Sequence, residues 1–97
     1  MNRGEIWALP DGRNVLLISL TGLEEAYGAL LAIVLHSGRY PDTAMSVVIA
    51  DPLPCTAVAV NIVQLRTDRF DGGKLLGPVD AAVMARVDAA LRAVQDL

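Results

Sequence analysis

The chain has 97 residues, 54% of them hydrophobic but only 4% aromatic, and eight Lys and Arg against eleven Asp and Glu give a formal net charge of -3. A length of this order supports one core that buries roughly 60 to 65 percent of the unfolded surface, so a single domain over residues 1–97 is expected, packed from Val, Leu, Ile and Ala. The acidic balance excludes a chain-wide field for phosphates and confines any nucleic-acid contact to a local patch. Cys55 stands alone, which excludes an internal disulfide and, with no leader-like N-terminus, makes the cytoplasm the expected compartment. The longest apolar run, residues 29–35, falls well short of the roughly 20 residues that cross a bilayer, so no membrane role is expected. The aliphatic surplus also suggests that apolar surface is covered by a second copy of the chain.

In chain order, residues 5–9 read as a short strand ended by the turn-forming cluster Pro10-Asp11-Gly12, and residues 15–20 as a second, buried strand. Residues 21–28 place helix formers between glycines, which predicts a loop or a single helical turn. Residues 29–36 are the third strand, 38–42 a turn, and 45–50 a fourth strand that stops before Pro52 and Pro54, because closely spaced prolines do not fit inside a sheet. Residues 56–65 alternate throughout and read as one strand, apolar on both faces. From Asp80 a helix is predicted, with Asp80 as N-cap, Val79 and Met84 as a hydrophobic staple, and Met84, Val87, Leu91 and Val94 as the buried stripe opposite Arg86 and Arg92. Five or so strands and a terminal helix make a small α+β domain with an antiparallel, barrel-like sheet.

The chemistry begins with absences. His36 is the only histidine, and no pair of His, Cys or carboxylate residues has the spacing of a zinc or redox site, so neither a metal nor another cofactor is expected. A phosphate-cradling P-loop, a dinucleotide turn and a nucleophile elbow are also missing. What remains near strand ends is a set of cationic and polar groups: Arg13, Ser37, Arg39, Gln64, Arg66, Thr67 and Arg69. Such groups suit cleavage of RNA, where the nucleophile is the substrate's own 2'-hydroxyl and the protein has to hold a phosphorane and move protons. An arginine offers a bidentate clamp for phosphate oxygens, and a hydroxyl offers an oriented hydrogen bond.

Several blocks in order carry a resemblance. Arg3-Gly4-Glu5-Ile6-Trp7, then Arg13-Asn14-Val15-Leu16-Leu17-Ile18-Ser19, then Val63-Gln64-Leu65-Arg66-Thr67, and finally Leu76-Gly77-Pro78-Val79 with the terminal helix resemble the MazF/PemK toxin family. The resemblance implies an SH3-like antiparallel barrel with a C-terminal helix, assembled as a homodimer whose grooves hold single-stranded RNA. It implies metal-independent, sequence-specific cleavage that leaves a 2',3'-cyclic phosphate, and neutralisation by a cognate antitoxin whose acidic tail occupies the groove. By position, Arg13 takes the place of the catalytic arginine at the scissile phosphate and Ser37 that of the catalytic hydroxyl. His36, Arg39, Gln64, Arg66 and Thr67 then fall among the RNA-binding or groove residues, with Arg39, Gln64 and Arg66 placed equally at the dimer interface. The chain differs from the family pattern in its short Pro10-Asp11-Gly12 loop, in Asn14 in place of proline, in Val63 in place of an acid, and in Asn61 in place of a second arginine.

His36 is a natural proton-transfer group beside Ser37, but strict strand alternation sends the two side chains to opposite faces, so a half-buried strand-end histidine is the plainer expectation. Trp7 is expected in the core or the dimer interface before it is expected to stack a base. Two other functions fit the same barrel: a non-catalytic module that dimerises and binds an antitoxin or another protein, and a CcdB-like gyrase inhibitor. The latter would require a Trp-Gly-Ile ending, which Val94-Gln95-Asp96-Leu97 does not resemble.

Overall fold

The computed structural model describes residues 1–38 and 43–97. Arg39 and most of the expected turn at 38–42 therefore lie outside the described residues.

Strands β1 (Glu5–Ala8) and β2 (Asn14–Leu17) form a hairpin closed at Pro10-Asp11-Gly12, where the Leu9 amide donates to the Arg13 carbonyl (2.8 Å) and the Gly12 amide to the Leu9 carbonyl (3.1 Å). The glycine-bounded segment becomes the single-turn helix α1 (Leu23–Tyr27), with Gly22 and Gly28 in the left-handed region (φ 91° and 67°) that glycine enters without a Cβ clash. The chain continues through β3 (Ala29–Val34), β4 (Ser46–Ile49), β5 (Cys55–Val58), β6 (Ile62–Arg66), a 3-10 turn (Thr67–Phe70), β7 (Lys74–Pro78) and helix α2 (Ala81–Gln95).

The described strands assemble as a five-stranded antiparallel sheet, β6-β3-β2-β1-β7, and a two-stranded sheet, β4-β5. The expectation of one strand over 56–65 is corrected here. The Asn61 amide donates to the Val58 carbonyl (2.9 Å), closing a turn at residues 59–61, so β5 pairs with β4 while β6 pairs with β3. Alternation misleads because both flanks of that turn are apolar: Ala59 is buried and Val60 is 61% exposed. The sequence pattern also gives no sign of β7, whose Leu75-Leu76-Gly77-Pro78 has little intrinsic strand preference. Pairing with β1 across a bulge between Ile6 and Trp7 creates it, and its edge position tolerates Pro78. The second strand is shorter than the expected residues 15–20, leaving Leu20 74% exposed.

Both faces of the large sheet carry core. On one face the cross-strand row Ile6, Leu16 and Ile33 packs with Val47 and Ile49 of β4 and with Val87, Ala90 and Leu91 of α2. Burial of each such Leu, Ile or Val stabilises by about 1.5–3 kcal/mol, which is why α2 docks along the predicted stripe. Its start is set by Asp80, whose carboxylate accepts from the Val83 amide (2.8 Å), and both Val79 and Met84 of the staple contribute to this cluster. On the other face Val15, Leu17, Leu30, Ala32 and Leu65 pack around Phe70. Trp7 joins them with its ring 5.7 Å from that of Phe70 at 87°, an edge-to-face contact that makes it a core residue rather than a stacking platform.

The two sheets meet just beyond the end of β3. There the His36 amide donates to the Thr56 carbonyl (3.0 Å) and the Thr56 amide donates back to the His36 carbonyl (2.9 Å), stitching the small sheet to the large one.

Candidate functional site

The antiparallel register of β2 and β3 pairs Val15 with Val34 and Leu16 with Ile33. Continued two residues beyond Val15 and Val34, it sets Arg13 across from His36, and the Leu35 amide bonded to the Asn14 carbonyl (2.9 Å) holds that continuation. On the other side of β3, Val34 donates to the Asn61 carbonyl (3.0 Å), which brings the turn at residues 59–61 diagonally beside His36. Backbone pairing alone therefore lines up Arg13, His36 and Asn61 across the sheet end.

A cavity of about 240 Å³ opens there, lined by Arg13, Asn14, His36, Ser37, Pro54 and Cys55 among others. It shares Ser37, Pro54 and Cys55 with a second depression of about 460 Å³ that runs along Val48, Ile49, Ala50 and Thr56. Ser37 is exposed at the junction of the two and His36 is half-buried. The alternation argument that separated these two side chains is corrected: β3 ends at Val34, so His36 and Ser37 lie past the regular strand and line one cavity. Half-burial of His36 is as expected.

Electrostatics at the site centre on Arg13. Its Nε donates to Asp11 Oδ2 (2.9 Å), its Nη2 lies 2.8 Å from the same oxygen, and its backbone amide donates to Asp11 Oδ1 (3.0 Å). Arg69 approaches Asp11 Oδ2 to 3.6 Å from the 3-10 turn, so two arginines share one carboxylate and the cluster keeps a net positive charge inside an acidic chain. Hydrogen bonds from the Arg13 side chain and backbone hold the Asp11 carboxyl below the usual carboxylate range. Burial pushes the Cys55 thiol up to about 11, so it stays neutral and unreactive near neutral pH. His36 Nε2 accepts a hydrogen bond from Asn61 Nδ2 (2.5 Å).

The remaining predicted site residues lie elsewhere. Gln64 pairs with Leu31 and Arg66 with Ala29 toward the opposite end of β3, about 17 and 23 Å from His36 at strand rise per residue. Arg66 is highly exposed, with only a loose 3.8 Å pairing to Asp68. The Thr67 amide donates to the Gly28 carbonyl (3.0 Å), which fixes the chain after β6 rather than presenting a site. Gln64 instead borders an open apolar depression with Leu23, Tyr27, Leu30 and Leu31, where Tyr27 is 77% and Leu31 40% exposed. Sequence reasoning missed Asp11 as a partner of Arg13, although an Asp two residues before an Arg in a tight turn is a legible signal. It missed Asn61 as a partner of His36 because a single strand over 56–65 hid the turn.

No family model and no curated protein sequence matches the chain. Its backbone, however, is similar to solved structures over its whole length. One is an endoribonuclease from Mycobacterial species (TM-score 0.89, 25% identity, covering 100% of this chain and 92% of that one). A second is an endoribonuclease in complex with its cognate antitoxin, also from Mycobacterial species (TM-score 0.87, 24% identity, 100% and 96%). A third is the MazE-MazF complex from Deinococcus radiodurans (TM-score 0.83, 19% identity, 100% and 97%). The chain has the MazF fold. Within that fold, the helix-backed antiparallel sheet expected from the sequence is the observed one, and the cationic cavity sits where β2, β3 and β5 meet. Among the described residues, no helix of this MazF-fold chain is long and apolar enough to cross a membrane.

Proposed function

We propose that the protein is the toxin of a type II toxin-antitoxin pair and cleaves single-stranded RNA without a metal. The observation that carries this reading is the convergence of Arg13, His36 and Ser37 on one cavity at the end of the sheet, in a fold shared with endoribonucleases. Arg13, braced by Asp11, clamps the scissile phosphate and neutralises charge that grows on its oxygens as the 2'-oxygen attacks. Ser37 supplies a hydroxyl to the phosphate or to the attacking group. The cleft that continues past Val48 and Thr56 accommodates the neighbouring nucleotides, and the acidic tail of an antitoxin competes for the same cations.

The chain works as a homodimer in the cytoplasm, and the open apolar face at Leu20, Tyr27 and Leu31, with Gln64 beside it, is the surface assigned to the second copy. Gln64, Arg66 and Thr67 thereby belong to the dimer contact and its rim rather than to the reacting phosphate. Arg39 keeps its place as a groove residue on sequence grounds alone. Incubation of the purified protein with mixed-sequence RNA in EDTA tests the proposal. Sequence-specific cuts with 2',3'-cyclic phosphate ends, lost in Arg13→Ala, are the expected result; no cuts by a folded dimer would leave a binding module that engages an antitoxin without catalysis.

A further inference from the structure

Resting on the ribonuclease reading above, we propose that Arg69 is a second phosphate-binding residue, which takes the backbone phosphate next to the scissile one on the hairpin side of Arg13 and so extends the RNA path beyond the cavity. Three observations carry this. Arg69 Nη2 lies 3.6 Å from Asp11 Oδ2, the same oxygen that Arg13 Nη2 meets at 2.8 Å, so the two guanidiniums gather around one point. The Arg69 side chain is 55% exposed, and among the described residues this long contact is its one ion pair, which leaves most of its five donors for a ligand. Its backbone is fixed all the same, because Phe70 is buried against Trp7, the Asp71 amide donates to the Asp68 carbonyl (3.2 Å) and the Gly73 amide to the Phe70 carbonyl (2.9 Å).

The side of the site follows from what lines each hollow. The larger depression runs from Ser37 along Val48 and Thr56, Arg13 lines the smaller cavity but not that depression, and Asp11 and Arg69 line neither. The groups therefore succeed one another as depression, Ser37, Arg13, Asp11 and Arg69. A strand reaches the last of these as it leaves the cavity over the hairpin between β1 and β2.

Charge gives the reason for a second phosphate. Two arginines this close repel, and the carboxylate between them holds them together while cancelling only one of the two charges. A single strand brings one negative charge per nucleotide, so when Arg13 takes the scissile phosphate the neighbouring one meets the charge that Asp11 leaves over. Neither acid of the Arg69 turn takes up that charge among the described residues: Asp68 Oδ2 lies 3.8 Å from Arg66 Nε instead, and Asp71 makes no ion pair with Arg69. The planar fork of an arginine suits phosphate oxygens, but the contact reads no base, so Arg69 contributes affinity and register and leaves the choice of sequence to other groups.

The test uses a single-stranded RNA that the wild-type protein cuts, remade with deoxyribose at the cut so that no 2'-hydroxyl attacks, and follows its binding by fluorescence anisotropy across a salt series. In Arg69→Gln the slope of log affinity against log salt should fall by about 0.7, the single-strand value for one phosphate contact, so that each tenfold drop in salt widens the deficit roughly fivefold. Arg69→Lys keeps the charge and should restore the slope. Two shortened RNAs, each lacking the nucleotides on one side of the cut, locate the contact: Arg69→Gln should weaken binding of one and leave the other at the wild-type affinity. An Arg69 that acted only by holding Asp11 and Arg13 in place would weaken both alike. Equal weakening of the two shortened RNAs, or an unchanged salt slope in folded Arg69→Gln, overturns the proposal, while cutting of the unmodified RNA by the wild-type protein keeps the ribonuclease reading intact. Failure of folded wild-type protein to cut any RNA overturns both.

Discussion

The two ends of β3 are built on opposite principles. At its C-terminal end the strand stops at Val34, and the next residues gather Arg13, His36, Ser37 and Asn61 through backbone pairing with β2, β5 and β6. At its N-terminal end, Ala29 and Leu31 meet Gln64 and Arg66 beside α1, and the outward surface is apolar: Leu20, Tyr27 and Leu31. One end concentrates polar groups, and the other leaves greasy surface without cover. Under the proposed function, a single six-residue strand keeps chemistry apart from association, so damage to one end should leave the other working.

The sharpest break of that separation is Arg13→Ala. Removal of its guanidinium should lower RNA cleavage about 10²- to 10³-fold, the usual cost of losing one charge-stabilising donor, with dimer mass unchanged by sedimentation. Conversely, Leu31→Asp should dissociate the dimer at micromolar protein while circular dichroism still reports a folded sheet, since Leu31 is already 40% exposed in the isolated chain. Wild-type-like mass for that variant would move the association surface elsewhere. A core control is Leu91→Ala, which removes α2 packing against the sheet and should cost about 2–5 kcal/mol in denaturant unfolding. Asp80→Ala, which deletes the α2 cap, should cost about 1 kcal/mol in the same assay. The mildest change concerns Asp11. Its carboxyl is held below its usual value by Arg13, so the pair is fully formed above the ordinary carboxylate range and is lost as pH falls through the lowered value. Thermal unfolding followed through acid pH should show a slight extra loss in wild type that Asp11→Asn lacks.

Much of the fold is legible in the residues themselves. The Asp80 cap and the Val87 and Leu91 stripe announce α2, and glycines at 22 and 28 announce the one-turn helix between β2 and β3. The failures share a cause, which is that pairing partners are not written in a local pattern. Strand β7 exists because β1 offers it an edge, and the break at residues 59–61 exists because two different sheets claim its flanks. The candidate site is legible as residue types, Arg13 and Ser37 above all, but not as an arrangement. Asn61 comes to His36 only once that turn is formed, and Gln64, Arg66 and Thr67 leave the site once β6 has a register.

The hairpin between β1 and β2 also bears on access to the cavity. Its three connecting residues are tied at both ends by the Leu9 and Arg13 pairing, so it has neither the reach nor the hinge to fold over the cavity. Under the proposed function, substrate would enter and product leave past this edge by diffusion, with no closing motion of the hairpin on the path.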